Sequence, residues 1–224
     1  MLAGEGAVAI WNGISETGRA EFYQWHLHEH MPERVGIPGF LRGRRYRAAD
    51  TVTKPEFFTL YETQTFEVTV GSDYVNRLNT PSAWTRSATS HFQTTSRALT
   101  KVVASFGVGP GGVLLTLRFD LPEDEDTEVD SLRHRLMDLA NQAEITGAHL
   151  LKADGGASDV RSAESKDRND IETPPRWAIL VEACSLGALE HALECLSGAA
   201  FLRGAAVGKY IHEYTRLKTA WAAG

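Results

Sequence analysis

The run from Val108 to Gly112 (VGPGG) breaks the chain near its middle, and the same order of elements reads on either side of it. Glycine and proline at that density end regular structure. Ahead of the break, residues 7–14 are rich in β-branched and aromatic side chains and end in turn chemistry, which predicts a strand. A helix follows over 19–31, with Ser15 or Thr17 as its cap and Glu21 in its first turn. Pro32 should stop or kink it. Strands are expected over 40–49 and 57–63, a helical region over 66–79, a partly helical excursion over 81–92 and a strand over 97–106. Past the break come a strand (113–120), an acidic loop (122–126), a helix (128–141) and a strand (145–153). Val129, Leu132, Leu136 and Leu139 stripe that helix. The polar segment 154–175 reads as a mobile loop. A strand (177–183), a helix (187–197) and a last strand (206–217) complete the pattern.

Two βαββαβ units in one chain predict an α+β protein of two tandem ferredoxin-like halves, residues 1–107 and 113–224, related by internal duplication. The helices cover one face of each four-stranded sheet, and the other face needs a partner. One chain can meet that need by packing its two sheets on each other as an intramolecular, pseudo-dimeric barrel.

A net charge of -6 argues against nonspecific binding to nucleic acid or acidic membranes. No window approaches 18 apolar residues, and the first residues lack a signal peptide's pattern. Cys184 and Cys195 form no metal-binding spacing, so free, buried thiols and a cytoplasmic location are expected.

Residues 21–48 (EFYQWHLHEHMPERVGIPGFLRGRRYRA) concentrate the candidate chemistry. At 100° per residue, Phe22, His26, Glu29, His30 and Glu33 share one stripe, and His28 points away from it. His26 and His30 stand four apart, so both imidazoles reach a common point. Three readings stay open for the pair: hydrogen bonding inside the helix–sheet interface, acid–base catalysis near neutral pH, or metal binding with a carboxylate. The HExxH zinc pattern is absent, and no metal is assigned. Strand alternation puts Phe40, Arg42, Arg44 and Tyr46 on one face, with Leu41, Gly43, Arg45 and Arg47 on the other. Charge on an edge strand is one account of these arginines. The other is an anion clamp in which Arg44 and Tyr46 share a cavity with His30. Trp11 and Tyr61, on neighbouring strands, are candidates to line it. His149, Tyr210, His212 and Tyr214 should also face inward.

The helix residues Phe22, Trp25, His30 and Pro32, the Pro38-Gly39-Phe40 turn and the basic strand at Arg44, Arg45 and Tyr46 resemble the EthD-like family of the dimeric α+β barrel superfamily. The resemblance spans about residues 15–61. It implies the barrel fold, a pocket between sheet and helices, and cofactor-free oxygenase, cyclase, dehydratase or isomerase chemistry on aromatic or enolisable compounds. His30 matches the family's helix histidine, whereas His26 stands where relatives often carry Trp. No haem-ligand motif is recognisable, and no cofactor is expected. The resulting expectation is an enzyme with a small-molecule ligand, His30 and His26 as acid–base groups, Arg44, Tyr46, Trp11 and Tyr61 as substrate contacts, and a homo-oligomer as an option. The alternatives are a noncatalytic ligand-binding or stress-related module and a purely structural oligomer component.

Overall fold

The computed structural model describes residues 1–121, 126–166, 168–198 and 202–219. In the first half, β1 (Gly6–Ile14) leads through a short 3-10 turn (Glu16–Gly18) into α1 (Arg19–Trp25), a π-helical turn (His26–His30) and α2 (Met31–Gly36). Then come β2 (Phe40–Ala48), β3 (Phe57–Thr63), a 3-10 turn (Phe66–Thr69), α3 (Ser72–Asn79), α4 (Ala83–Thr89) and β4 (Phe92–Gly107). The second half runs β5 (Val113–Phe119), α5 (Asp126–Leu139), β6 (Ile145–Ala153), α6 (Gly155–Asp159), β7 (Ile171–Glu172), β8 (Trp177–Ala183), α7 (Leu186–Leu196) and β9 (Ala206–Leu217). The expected acidic loop lies outside the described residues except for Asp126, which begins α5.

Eight strands close in the order β1-β3-β2-β9-β5-β8-β6-β4, and β4 pairs back onto β1. Each half contributes the same local order: β4-β1-β3-β2 from the first, β9-β5-β8-β6 from the second. Two antiparallel seams, β2–β9 and β4–β6, join them. Closure removes the open edges that a four-stranded sheet would expose. β2 is therefore an internal strand, and the edge-strand account of its arginines does not hold.

The core forms layers. Inside the barrel lie Trp11, Tyr46, Phe58, Leu60, Leu114, Leu151, Leu180 and Tyr210. Outside the second sheet, α5 and α7 pack over Leu115, Leu117, Leu150, Ile179 and Val181. Outside the first sheet, Val8, Met31, Phe40, Tyr61, Tyr74 and Leu99 form one cluster, with Phe22, Trp25 and Phe57 beside it. All seven residues of β3 and of β8 are buried, because both of their faces meet a packed layer. At Gly43 a Cβ would come within 2.5 Å of Met31 Sδ and 2.9 Å of the Tyr61 ring, so the missing side chain lets the helix approach the sheet.

Several expectations need correction. The first helix runs on past Pro32, because the π turn widens the spiral just before it and Pro32 falls in the first turn of a new α segment. Cys184 and Cys195 are exposed, not buried: Cys184 lies just past the end of β8, and Cys195 lies off the Ala188–Leu189–Ala192–Leu196 stripe of α7. β4 starts earlier than expected, at Phe92. The segment after β6 is structured: it holds α6 and β7, and β7 pairs in parallel with Thr95 and Ser96 of β4.

Two β-bulges set which side chains face which layer. Leu41 is the extra residue between the Phe40–Thr63 and Arg42–Glu62 pairs, so Phe40 faces the helices while Arg42, Arg44 and Tyr46 face the barrel interior. Glu213 is the extra residue between the Arg45–Tyr214 and Tyr46–His212 pairs. Tyr210 therefore packs inside the barrel and His212 meets the ring of Tyr46, but Tyr214 packs on the helix side, against expectation.

Candidate functional site

The π turn is the local device that builds the site. A π segment turns less per residue than an α-helix, so Trp25, His26 and His30 all reach the buried face, while His28 stays exposed. The His26 and His30 rings are 5.5 Å apart. Their surroundings differ. His26 Nδ1 lies 3.4 Å from Arg45 Nη1, and Arg45 Nε donates to Glu213 Oε2 at 3.0 Å. The Arg45 guanidinium also lies 4.7 Å from the centre of the Tyr23 ring. His26 thus belongs to a helix–sheet contact.

His30 instead borders a cavity of about 310 Å³ between the first sheet and its helices. Trp25, Tyr61, Tyr74 and Phe92 supply its aromatic wall, and Arg34 sits one helical turn past His30. Described residues on both sides of position 167, among them Ser158, Val160, Ser162, Glu164, Arg168 and Ile171, roof it, so the lid comes from the second half of the chain. Backbone and side chains tie the roof down: Leu99 N–H donates to Ser158 Oγ at 3.0 Å, and Glu164 N–H to the Leu78 carbonyl at 3.1 Å. Arg34 pairs with Glu164 and with Glu33, and Arg77 pairs with Glu33 as well. Arg168 and Thr95 both bond Asp170.

Two buried polar groups on the residues lining this cavity lack partners among the described residues. They are His30 Nδ1 and the Tyr61 hydroxyl, each with almost no surface open to water, on two residues that line the cavity. The rings are 6.2 Å apart. A buried polar atom without a partner costs free energy and is rare, so two on residues that border one cavity point to a ligand that shifts them into contact. Burial holds the His30 imidazole well below its usual value, and the Arg34 guanidinium pushes in the same direction. Burial raises the Tyr61 hydroxyl. At neutral pH the site therefore offers a neutral imidazole and a protonated phenol. The Trp25 indole packs on His30 at 4.2 Å and donates to Thr85 Oγ1 at 3.1 Å. Thr85 and Ser82 both donate to Glu29, so the indole is fixed from behind.

The other expected substrate contacts lie elsewhere. Arg44 and Tyr46 face the barrel interior, on the opposite side of the sheet from His30, so the expected clamp beside His30 does not form. Trp11 also faces inward and donates to Thr116 Oγ1 at 3.3 Å. Arg44 instead bonds Glu62 Oε1 at 2.9 Å, Glu182 Oε2 at 2.7 Å and the Tyr46 hydroxyl at 2.6 Å. Arg42 joins Glu62 at 2.7 Å, and His149 lies 3.4 Å from Glu182. Burial would raise the Glu182 carboxyl, but His149 and Arg44 outweigh it and hold it at about 2.

Sequence reading missed Arg34, Phe92, Tyr74 and the whole roof. Arg34 carried a signal, since it lies four residues after His30. Trp25 needs the π turn to face the same way, and the roof residues carry no local pattern. In the second half, the space between sheet and helices is filled by apolar side chains from β5, β6, β8, α5 and α7. Among the described residues, no group of three or more His, Cys, Asp or Glu side chains is placed to share a metal ion, and no helix is long and apolar enough to cross a membrane.

The buried histidines make stability depend on pH. Burial holds His26 and His30 well below the ordinary 6.5 and lowers His149 and the half-buried His212 as well, so the unfolded chain binds more protons than the native one once the pH falls below that value. Stability is therefore full above about pH 6.5 and declines on acidification, by up to about 1.4 kcal/mol per pH unit for each histidine. Glu182 and Asp170, both lowered from 4.5 and 3.8, act only at lower pH. Urea midpoints at pH 7.5 and 5.5 should drop steeply for the native chain and less for the His26→Gln/His30→Gln double variant. Equal drops in the two proteins would refute the assignment.

No family model matches the sequence, and no curated protein matches it. Solved structures do match over nearly the full length. An anthrone oxidase-like protein superposes with a TM-score of 0.62 at 11% identity, covering 98% of this chain and 95% of the other. A candidate monooxygenase from Lactobacillus acidophilus gives 0.56 at 10% identity, covering 95% and 96%. A chlorite dismutase from Candidatus Nitrospira defluvii, in complex with cyanide, gives 0.51 at 8% identity, covering 92% and 90%. Identity this low speaks for fold alone. The chain has the fold of the dimeric α+β barrels, with both ferredoxin-like halves in one polypeptide.

Proposed function

We propose that this protein is a small-molecule enzyme that takes a proton from an aromatic or enolisable compound, with His30 as general base and Tyr61 as the donor to the oxygen that becomes charged. The observation that carries this reading is the pair of unpartnered groups, His30 Nδ1 and the Tyr61 hydroxyl, on two residues that line one aromatic-walled cavity. A cavity of about 310 Å³ suits a compound of a few fused rings. The EthD-like resemblance at Phe22, Trp25, His30 and Pro32 supports the same assignment of His30.

In the proposed step the neutral imidazole removes a proton from an activated C–H or O–H group. The products are an imidazolium and a delocalised anion. Tyr61 O–H stabilises that anion at its oxygen, as a preorganised donor in a site shielded from water. Burial makes an isolated imidazolium costly here, and the adjacent anion offsets that cost. Oxygenase, isomerase, cyclase and dehydratase chemistry differ in what the anion does next. His26 lies outside the cavity and supports the helix through Arg45, not the reaction. Arg44, Tyr46 and Trp11 are structural in this reading.

Anthrone is a suitable first compound, because its methylene group is acidic and a structural neighbour is described as anthrone oxidase-like. Deuterium exchange at that methylene, followed by NMR under nitrogen, should run well above the buffer rate with stoichiometric protein. Binding without accelerated exchange would favour the noncatalytic ligand-binding module.

A further inference from the structure

Among the described residues, Arg97 is a half-buried, cavity-lining cation with no carboxylate partner. It lies on β4, paired with Ile10, and faces the helix side of the sheet beside the Val8–Tyr61 pair. Arg34 and Arg168, which line the same cavity, are each neutralised by Glu or Asp partners. Arg97 Nη2 donates only to the Val160 carbonyl, at 3.3 Å, and Arg97 has no carboxylate partner among the described residues. A carbonyl dipole uses one of the guanidinium's five donors and cancels none of its charge. The neighbouring Arg161, exposed, also lacks a carboxylate partner among the described residues. Both arginines also border a smaller cavity of about 180 Å³ that adjoins the first. Two carboxylates, Asp159 and Glu172, reach the rim, but both are exposed, so water and salt screen them more than the half-buried Arg97.

We infer that the substrate is an aromatic acid, with its ring system against Trp25, Phe92 and Tyr61 and its anionic group on Arg97, with the exposed Arg161 nearby. The inference builds on the proposed ring-binding site and adds a specificity-determining residue to it. A carboxylate takes two donors from one guanidinium, whereas a neutral amide of the same shape does not match that fork. The aromatic wall alone would not distinguish the two.

The test compares 2-naphthoate with the isosteric 2-naphthamide by calorimetry at pH 7.5. The full chain should bind the acid at least about tenfold more tightly than the amide. Arg97→Gln should remove that preference, and Arg97→Lys, which keeps the charge but not the fork, should restore part of it. Raising the salt concentration should weaken only the acid. Equal binding of acid and amide overturns the inference, as does a preference that survives Arg97→Gln, or no binding of the acid at millimolar concentration. These readings need no turnover. His30→Gln should leave the acid preference in place, so a failure of the base assignment and a failure of the anion contact give different results.

Discussion

Replacing His30 by Gln is expected to slow exchange at the anthrone methylene by about 10²–10⁴-fold, the range for loss of a positioned general base. Glutamine keeps a polar group of similar reach but does not accept a proton at neutral pH. Affinity for the ring should change little, since the aromatic wall of Trp25, Tyr61, Tyr74 and Phe92 is intact. Tyr61→Phe should cost about 10–10²-fold, because one donor to the developing oxyanion is lost while the ring still packs. His26→Gln should cost much less than His30→Gln, since Arg45 and not the cavity is its neighbour. The order of these three effects separates the reading from a merely structural role for the π turn. If His26→Gln and His30→Gln lower exchange equally, and both lower the urea midpoint alike, His30 is not the base. The pH profile offers a second check: exchange should stay level from neutral pH down to the lowered value of the imidazole and fall only below it.

The second large effect is on stability. Arg44 is 1% exposed and ties Glu62 of the first half to Glu182 of the second. Removing one member of a buried ion network leaves its partners charged and without compensation, at a cost of about 3–5 kcal/mol. Arg44→Met should lower unfolding stability by that amount. Glu182→Gln should cost less, because the amide still accepts from Arg44 but no longer balances its charge. Gly111 N–H also donates to Glu182 Oε2 at 2.9 Å, so the same carboxylate holds the link between the halves. Exchange per folded molecule should be unchanged by Arg44→Met, since the cavity lies on the other side of the sheet. A loss under about 1 kcal/mol in urea titrations would mean that the interior pairs are already solvated, against their burial.

The fold was readable in the sequence because its signals are local and repeated. The apolar runs at 57–63 and 177–183 are short, continuous and bounded by turn residues, and each is a strand buried on both faces. The site was readable only in part. His30 and Tyr61 emerged from helical position and strand chemistry, and the cavity brings them together. Alternation groups Phe40, Arg42, Arg44 and Tyr46 on one face but does not say which layer that face meets. The extra residue Leu41 puts Phe40 on the helix side and leaves Arg42, Arg44 and Tyr46 inside the barrel, and nothing in a one-dimensional pattern marks it. The same holds for Tyr214 and the bulge at Glu213. The roof escaped for another reason. Its composition is that of a solvated loop, and its order comes from distant groups such as Arg34, Leu78 and Thr95.

The closed barrel of two linked halves has a consequence for the number of sites. When such a barrel forms from two identical chains, symmetry obliges every change in one half to appear in the other. A covalent link lifts that obligation. Here apolar side chains fill the sheet–helix space of the second half, and described residues such as Ser158, Glu164 and Arg168 from that half roof the cavity of the first. The described architecture thus carries one such roofed cavity, so titration should saturate at one equivalent per chain along a simple hyperbola. The asymmetry also makes each half depend on the other for a different thing: the first for the cover of its cavity, the second for Arg44 as the counter-charge of its buried Glu182.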